Sequence, residues 1–279
     1  MPIIDAHHHY WWHAKRTHVW PEAAGTAMSR DFTPADLEPE LAQAGIDGTV
    51  LVQTVNESGE TEEFLDLAAV TPSIFGVVGW IPLNDPAETA RQLARLSNRK
   101  KLVGFRNLMR TEATPNWLLQ HTVLESLSQV ADAGLVFESV PVDAAQFEQV
   151  IGLAERLPNL RIVVDHLGRP PVSPRGWQPW ASLIERAASL PNVAIKLSIG
   201  FDLSLRWRWS VDELKNYIEH VVRCFGAHRC MAGSNWPVVL FSGSYQDVWR
   251  GIGTMLAGQT PQDRQLILGE TARSIYRLP

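Results

Sequence analysis

Eight short runs of apolar, β-branched residues recur along this chain of 279 residues, and the stretches between them have the length and period of helices. The runs are PIIDAHHH (2–9), DGTVLVQT (47–54), IFGVVGWI (74–81), KLVGFRNL (101–108), LVFESV (135–140), NLRIVVDHL (159–167), NVAIKLS (192–198) and RCMAGSN (229–235). Helix starts are marked by Asp85-Pro86, Ser210 and Thr260-Pro261, where a side-chain oxygen or a proline deals with the orphan amides of a first turn. Helix stops are marked by Gly45, Gly134, Gly226 and Gly258. Runs such as VLVQ and RIVV are apolar on nearly every residue, which suits strands covered on both faces by helices. Length alone leaves one large domain or two small ones open. Eight βα units in a row favour an α/β fold of the TIM type, an eight-stranded (β/α) barrel in one domain over residues 1–279. An open dinucleotide-binding sheet would carry a glycine-rich first turn, and here that turn is HHHYWW.

With 45% hydrophobic and 20% charged residues the chain can bury a sizeable core. A formal net charge of −5 argues against a nucleic-acid partner and for a small-molecule substrate. Two cysteines, Cys224 and Cys230, have no further partners for a zinc knuckle and suggest reduced thiols. The start MPIIDAH shows no signal segment, and eighteen apolar residues never run uninterrupted, so a cytoplasmic protein with no membrane partner is expected.

In such a barrel the active site lies at the C-terminal ends of the strands. The runs end in His7 and His9, Gln53, Arg106, Glu138, His166, Lys196 with Ser198, and Asn235. A core has no use for so many ionisable groups, because burying unpaired charge is strongly unfavourable. Strand alternation puts His7 and His9 on one face and His8 on the other. Together with His166 they make three imidazoles, enough to bind one divalent metal ion, with zinc the first candidate, and leave room for water. The same alternation sends Asp165 away from His166, towards the helices. Glu138 is equally suited to pairing with Arg106 or Lys196 and to chemistry. Lys196, inside an apolar strand, requires a carboxylate or a ligand.

Eleven tryptophans form a second constellation. Trp11, Trp12 and Trp20 follow the first run, Trp177 and Trp180 the sixth, RWRW (206–209) the seventh and Trp236 the eighth. Aromatic walls interleaved with Arg206 or Arg208 would suit an anionic or sugar-like ligand, with Trp11, Trp12 and Trp236 as contacts. The bland alternative is that the long loops pack their own aromatic lid or an oligomer contact, such as that of a homodimer.

IIDAHHHYWW, GFRNL, VVDHLGRPP, NVAIKLS and MAGSNWPV resemble, in order and over essentially the full chain, the amidohydrolase superfamily. The nearest branch by these motifs is that of metal-dependent barrel hydrolases containing sugar-acid lactonases and 2-pyrone-4,6-dicarboxylate lactonase. The resemblance implies that the family's H-x-H matches His7 and His9, and its D-H-x-G-x-P histidine matches His166. Its last-strand aspartate, in G-S-D-W-P, matches Asn235, where this chain reads GSNWP. A neutral amide neither binds a metal well nor takes a proton from water.

The departure leaves three neutral imidazoles, which can still support a metal hydroxide, or a histidine acting directly as base without metal. Opening of a lactone, an activated ester, is the reaction least harmed. The expectation is therefore a lactonase in which His7, His9 and His166 activate water, Arg106 and Lys196 polarise the carbonyl or hold a carboxylate, and Glu138 and Asn235 assist. Its rivals are an aromatic-acid decarboxylase on the same fold and a non-catalytic ligand-binding member.

Overall fold

The computed structural model describes residues 1–18, 26–112, 114–170, 176–200 and 211–279. Each of the eight runs forms a strand, shorter than the run in every case: β1 Ile4–His8, β2 Gly48–Val52, β3 Ile74–Gly79, β4 Leu102–Asn107, β5 Val136–Ser139, β6 Arg161–Val164, β7 Val193–Lys196 and β8 Cys230–Met231. All neighbours pair in parallel in the order β1 to β8. Ala6 N–H donates to Ala232 O at 3.0 Å, Asn235 N–H to His7 O at 2.8 Å and His9 N–H to Trp236 O at 2.8 Å, so the segments at the two ends of the sheet meet and round it into a barrel.

The outer layer comprises α1 Pro34–Ala44, α2 Ser58–Val70, α3 Pro86–Leu96, α4 His121–Asp132, α5 Ala144–Arg156, α6 Trp180–Ala188, α7 Val211–Phe225 and α8 Tyr245–Met255. Two short helices follow, α9 Pro261–Gln265 and α10 Thr271–Tyr276. The cap residues work as their chemistry suggests: Asp85 accepts from the amides of Ala87 and Glu88 at 3.0 Å each, and Thr260 from that of Asp263 at 3.1 Å. Ser210 lies outside the described residues. Gly45 ends α1 in the left-handed conformation (φ 69°), where a side chain is disfavoured. Among the described residues no helix is long and apolar enough to cross a membrane.

The barrel interior is filled by Ile4, Ala6, Val50, Val52, Val78, Val103, Val136, Val163, Ala194 and Met231, at least one residue from each strand. Ala272, Tyr276 and Leu278, from α10 and just beyond it, join this cluster and plug one end of the barrel. The larger cluster lies between the outer faces of the strands and the helices, with Phe105, Phe137, Ile162 and Ile195 among its members.

Two breaks in simple alternation decide what the barrel mouth presents. In β1 the inward residues are Ile4 and Ala6, yet His7 and His9 also turn inward. Register against β2 slips between Asp5 and His8, where three steps on β1 match two on β2, and this bulge resets the facing. His8 turns out, its Nε2 2.9 Å from Thr49 Oγ1. In β6 alternation from Val163 carries Asp165 inward, contrary to the expectation that it faces the helices. The strand ends at Val164, and His166 then adopts a left-handed backbone (φ 55°) that brings its ring to the same mouth. Asp165 and His166 therefore both serve the site.

Asp5 fastens this arrangement. Its buried carboxylate accepts from Ser234 N–H at 2.9 Å, Ser234 Oγ at 2.6 Å, Tyr245 Oη at 3.0 Å and His7 N–H at 3.1 Å, tying the bulge to the last strand's loop and to α8. Asp5→Ala strands these donors and should lower stability by about 3 kcal/mol, seen as a reduced midpoint in denaturant titration.

Candidate functional site

A cavity of about 550 Å³ opens at the barrel mouth, lined by His9, Trp11, His18, Thr54, Asn56, Arg106, Arg110, His166, Arg169 and Asn235 with a set of apolar side chains. The residues singled out from the sequence divide into two tiers. His9, Arg106, His166, Asn235 and Trp11 reach the cavity; His7, Lys196 and Glu138, each wholly buried, lie beyond its lining.

The lower tier is a compact set of charges around His7. Lys196 Nζ sits 2.7 Å from Glu138 Oε2, 3.2 Å from Asp165 Oδ1 and 3.1 Å from His7 Nδ1. Arg106 Nη1 is 3.1 Å from Asp165 Oδ2 and 3.3 Å from His7 Nε2, while its Nη2 donates to the side-chain and main-chain oxygens of Gln53. Tyr276, rising from the C-terminal plug, donates its hydroxyl to Glu138. Two cations thus face two carboxylates, the condition for burying them at all. Burial pushes the Glu138 carboxyl up to about 7 against the pull of Lys196. Burial also acts on Asp165, but Lys196 and His7 outweigh it and hold that carboxyl well below its ordinary range.

The upper tier consists of neutral imidazoles with directed lone pairs. Burial, reinforced by Arg106, drives His9 well below 6.5, and burial takes His166 down to about 3. His9 Nδ1 donates to Val52 O at 2.7 Å, which leaves Nε2 as its acceptor. His166 Nδ1 lies 2.8 Å from Ser198 Oγ, leaving its Nε2 uncommitted by that contact. Asn235, also in a left-handed backbone (φ 57°), donates Nδ2 to Ile199 O at 2.8 Å. That bond fixes the amide, and among the described residues the buried Oδ1 has no hydrogen-bond partner.

His7 Nε2 and His9 Nε2 are 3.2 Å apart. Two lone pairs do not face each other at that distance, so a proton on one ring or a shared cation must lie between them. His7, Asp165 and His166 each offer a ligand atom within 4.8 Å of one another and could hold a divalent ion. Asp165 thereby enters a donor set read from the sequence as three histidines, while His9 lies beside it through the Nε2 contact.

The aromatic residues behave differently from the reading of a common wall. Trp11 lines the cavity, with Nε1 donating to Arg30 O at 3.0 Å. Trp236 is buried between Tyr10 and Phe32, with ring centroids 5.9 and 5.5 Å away, and Trp12 packs on the core beneath Lys15; neither lines the cavity. Trp177 and Trp180 pack against Tyr217 and His220 in the helical layer. Arg206 and Arg208, with Trp20, lie outside the described residues. Arg110, Arg169, His18 and Asn56 were not picked out from sequence. Arg169 stands inside the DHLGRPP segment and Arg110 two residues beyond GFRNL, so only proximity to recognised motifs pointed to them.

Residues 4–278 match the family model described as amidohydrolase. The chain belongs to the amidohydrolase family. It is 31% identical to an L-fucono-1,5-lactonase of Burkholderia ambifaria over 279 aligned residues, covering 99% of this chain and 95% of that one. A crystal structure of a Burkholderia multivorans amidohydrolase with bound zinc superposes with a TM-score of 0.91 at 26% identity, covering both chains fully. A probable 2-pyrone-4,6-dicarboxylic acid hydrolase of Acinetobacter baumannii shares the fold, with a TM-score of 0.74 at 17% identity over 99% of this chain and all of that one.

The buried imidazoles make this family member acid-sensitive. His8 and His166 are depressed to about 3 and His18 to about 4, chiefly by burial, and His7 and His9 are also lowered, so the unfolded chain binds more protons below pH 6.5. Their stabilisation is complete above pH 6.5 and is lost as pH falls towards 3. Glu60 and Glu138, raised to about 7, and Asp5, also raised, act in the opposite sense but are outnumbered. The melting temperature should fall from pH 7 to pH 5, and His8→Gln should flatten that slope by roughly 1.4 kcal/mol per pH unit.

Proposed function

We propose that this protein is a lactonase, one barrel domain that opens the ring ester of a small hydroxy-acid lactone with water. The observation that carries this reading is that His9, Arg106, His166 and Asn235, the last with its amide fixed by Ile199 O, all line one cavity. The full-length likeness to a fuconolactonase supports the same chemistry.

Asn235 cannot take a proton, but with Nδ2 committed to Ile199 O its Oδ1 can only accept. It therefore orients a water by accepting one of its hydrogens. The neutral His166 takes the other proton on Nε2 as the water oxygen bonds to the lactone carbonyl carbon. Ser198 at Nδ1 holds the ring. Arg106 stabilises the negative charge that develops on the carbonyl oxygen. When the ring C–O bond breaks, the proton returns from His166 to the leaving alkoxide and a hydroxy acid results. His7, Lys196, Glu138 and Asp165 position Arg106 and His9 from below, and Trp11 supplies an apolar wall. A divalent ion held by His7, Asp165 and His166 would take up the His166 lone pair and so replace that histidine as the activator of water, acidifying a bound water and polarising the carbonyl.

A panel of aldonolactones and muconolactones, followed with a pH indicator, tests the reading. His166→Ala should cut kcat by about 10²–10⁴, and Asn235→Ala by roughly 10–100, with circular dichroism confirming that each folds. Absence of turnover on every lactone, or retention of full rate by both variants, would refute it.

A further inference from the structure

Away from the mouth, the described residues bring together a second set of metal-type donors. Glu185 on α6 and His220 and Cys224 on α7 each offer one ligand atom, all within 4.8 Å of one another. His220 Nε2 is 3.9 Å from Glu185 Oε1 and 3.8 Å from Cys224 Sγ. Ligand atoms around a tetrahedral zinc ion, with bonds of about 2.0–2.3 Å, sit roughly 3.3–3.5 Å apart, so each of these two separations closes by about half an ångström or less. None of the three residues lines the cavity at the barrel mouth.

The three differ in how firmly they are held. His220 and Cys224 stand one helical turn apart and so share one face of α7. The His220 side chain is buried against Trp177 and Trp180, with ring centroids 5.0 and 5.4 Å away, which fixes the imidazole. Cys224 is half-buried and Glu185 exposed, so an ion reaches the site from solvent and the carboxylate swings onto it. Burial pushes the Cys224 thiol up, and Glu185 adds to that against the pull of Arg223. A divalent cation between sulfur and carboxylate removes that repulsion.

Binding requires one exchange of protons. Arg223 Nη2 donates to His220 Nδ1 at 2.7 Å, so the ring hydrogen is on Nε2, 3.3 Å from Ala181 O. To take an ion on Nε2 the ring moves that hydrogen to Nδ1, and the exposed Arg223 turns to solvent. The Cys224 thiol gives its proton to water, so one proton leaves per ion bound.

We infer that Glu185, His220 and Cys224 form a site for a borderline-soft divalent cation, zinc in the first instance, that ties α6 to α7. Water completes the tetrahedron. Thiolate and imidazole select zinc or cobalt over magnesium and calcium, which take oxygen ligands. The inference does not depend on the lactonase reading.

Cobalt(II) titrated into the full-length protein after chelator treatment separates this site from the barrel mouth. A thiolate ligand gives a near-ultraviolet sulfur-to-cobalt charge-transfer band, and His7, Asp165 and His166 carry no sulfur. Cys230, the other of the two cysteines, is wholly buried in β8, and burial pushes its thiol up. The wild type should show the band, which excess zinc should remove and magnesium should not. Cys224→Ser should abolish it, and Glu185→Gln should weaken cobalt binding about tenfold or more, as loss of even a supporting partner of a metal ligand does. Zinc at about a hundred times its Kd should raise the melting temperature by about 5 °C more in the wild type than in Cys224→Ser, which reports the tie between the two helices. Absence of the band, its persistence in Cys224→Ser, its displacement by magnesium, or equal zinc stabilisation of wild type and variant overturns the inference.

Discussion

The site depends on a charge-balanced set buried beneath it. Arg106 and Lys196 press on opposite nitrogens of His7, and Asp165 and Glu138 compensate them. Removing any member leaves an unpaired charge in a dry interior, a penalty of several kcal/mol, so the four side chains constrain one another. Arg106, which also lines the cavity, is then held on Asp165 and Gln53, a fixed donor that needs no reorganisation when charge develops beside it. The C-terminal plug is part of the same device, since Tyr276 reaches Glu138 from the far end of the barrel. Stability at one end and chemistry at the other are joined through a single carboxylate.

The barrel was legible because it rests on the pattern of apolar runs, and every run is a strand. Facing was less legible, because it depends on backbone breaks that leave little trace in residue type. The expectation that His7 and His9 share one face matches their placement, but only after a bulge has shifted which residues of β1 face in. Asp165 was misjudged for the same reason. Strict alternation treated DH as one strand continuing, whereas β6 stops at Val164 and His166 enters the left-handed region usually left to glycine or asparagine. The signal was the segment HLGR, too polar and glycine-bearing for a strand interior.

The tryptophans show the opposite failure. Their positions after the strands were right, but an indole in a βα loop has two uses, and area decides between them. Trp236, Trp177 and Trp180 each cover other aromatic rings and gain more by burial than by lining a wet mouth. Trp11 does both, with its Nε1–H satisfied by Arg30 O and the ring left at the cavity edge. Composition could count these rings and could not assign them.

Asparagine at 235 changes how the labour is divided. An aspartate there would add a third carboxylate to a site whose two cations are already matched by two, and would compete with His166 for the proton of the attacking water. The amide removes that charge and keeps the acceptor, because Ile199 O holds Nδ2 and leaves Oδ1 unpaired among the described residues. In the proposed mechanism the proton passes instead to the His166 imidazole, which burial keeps unprotonated at neutral pH.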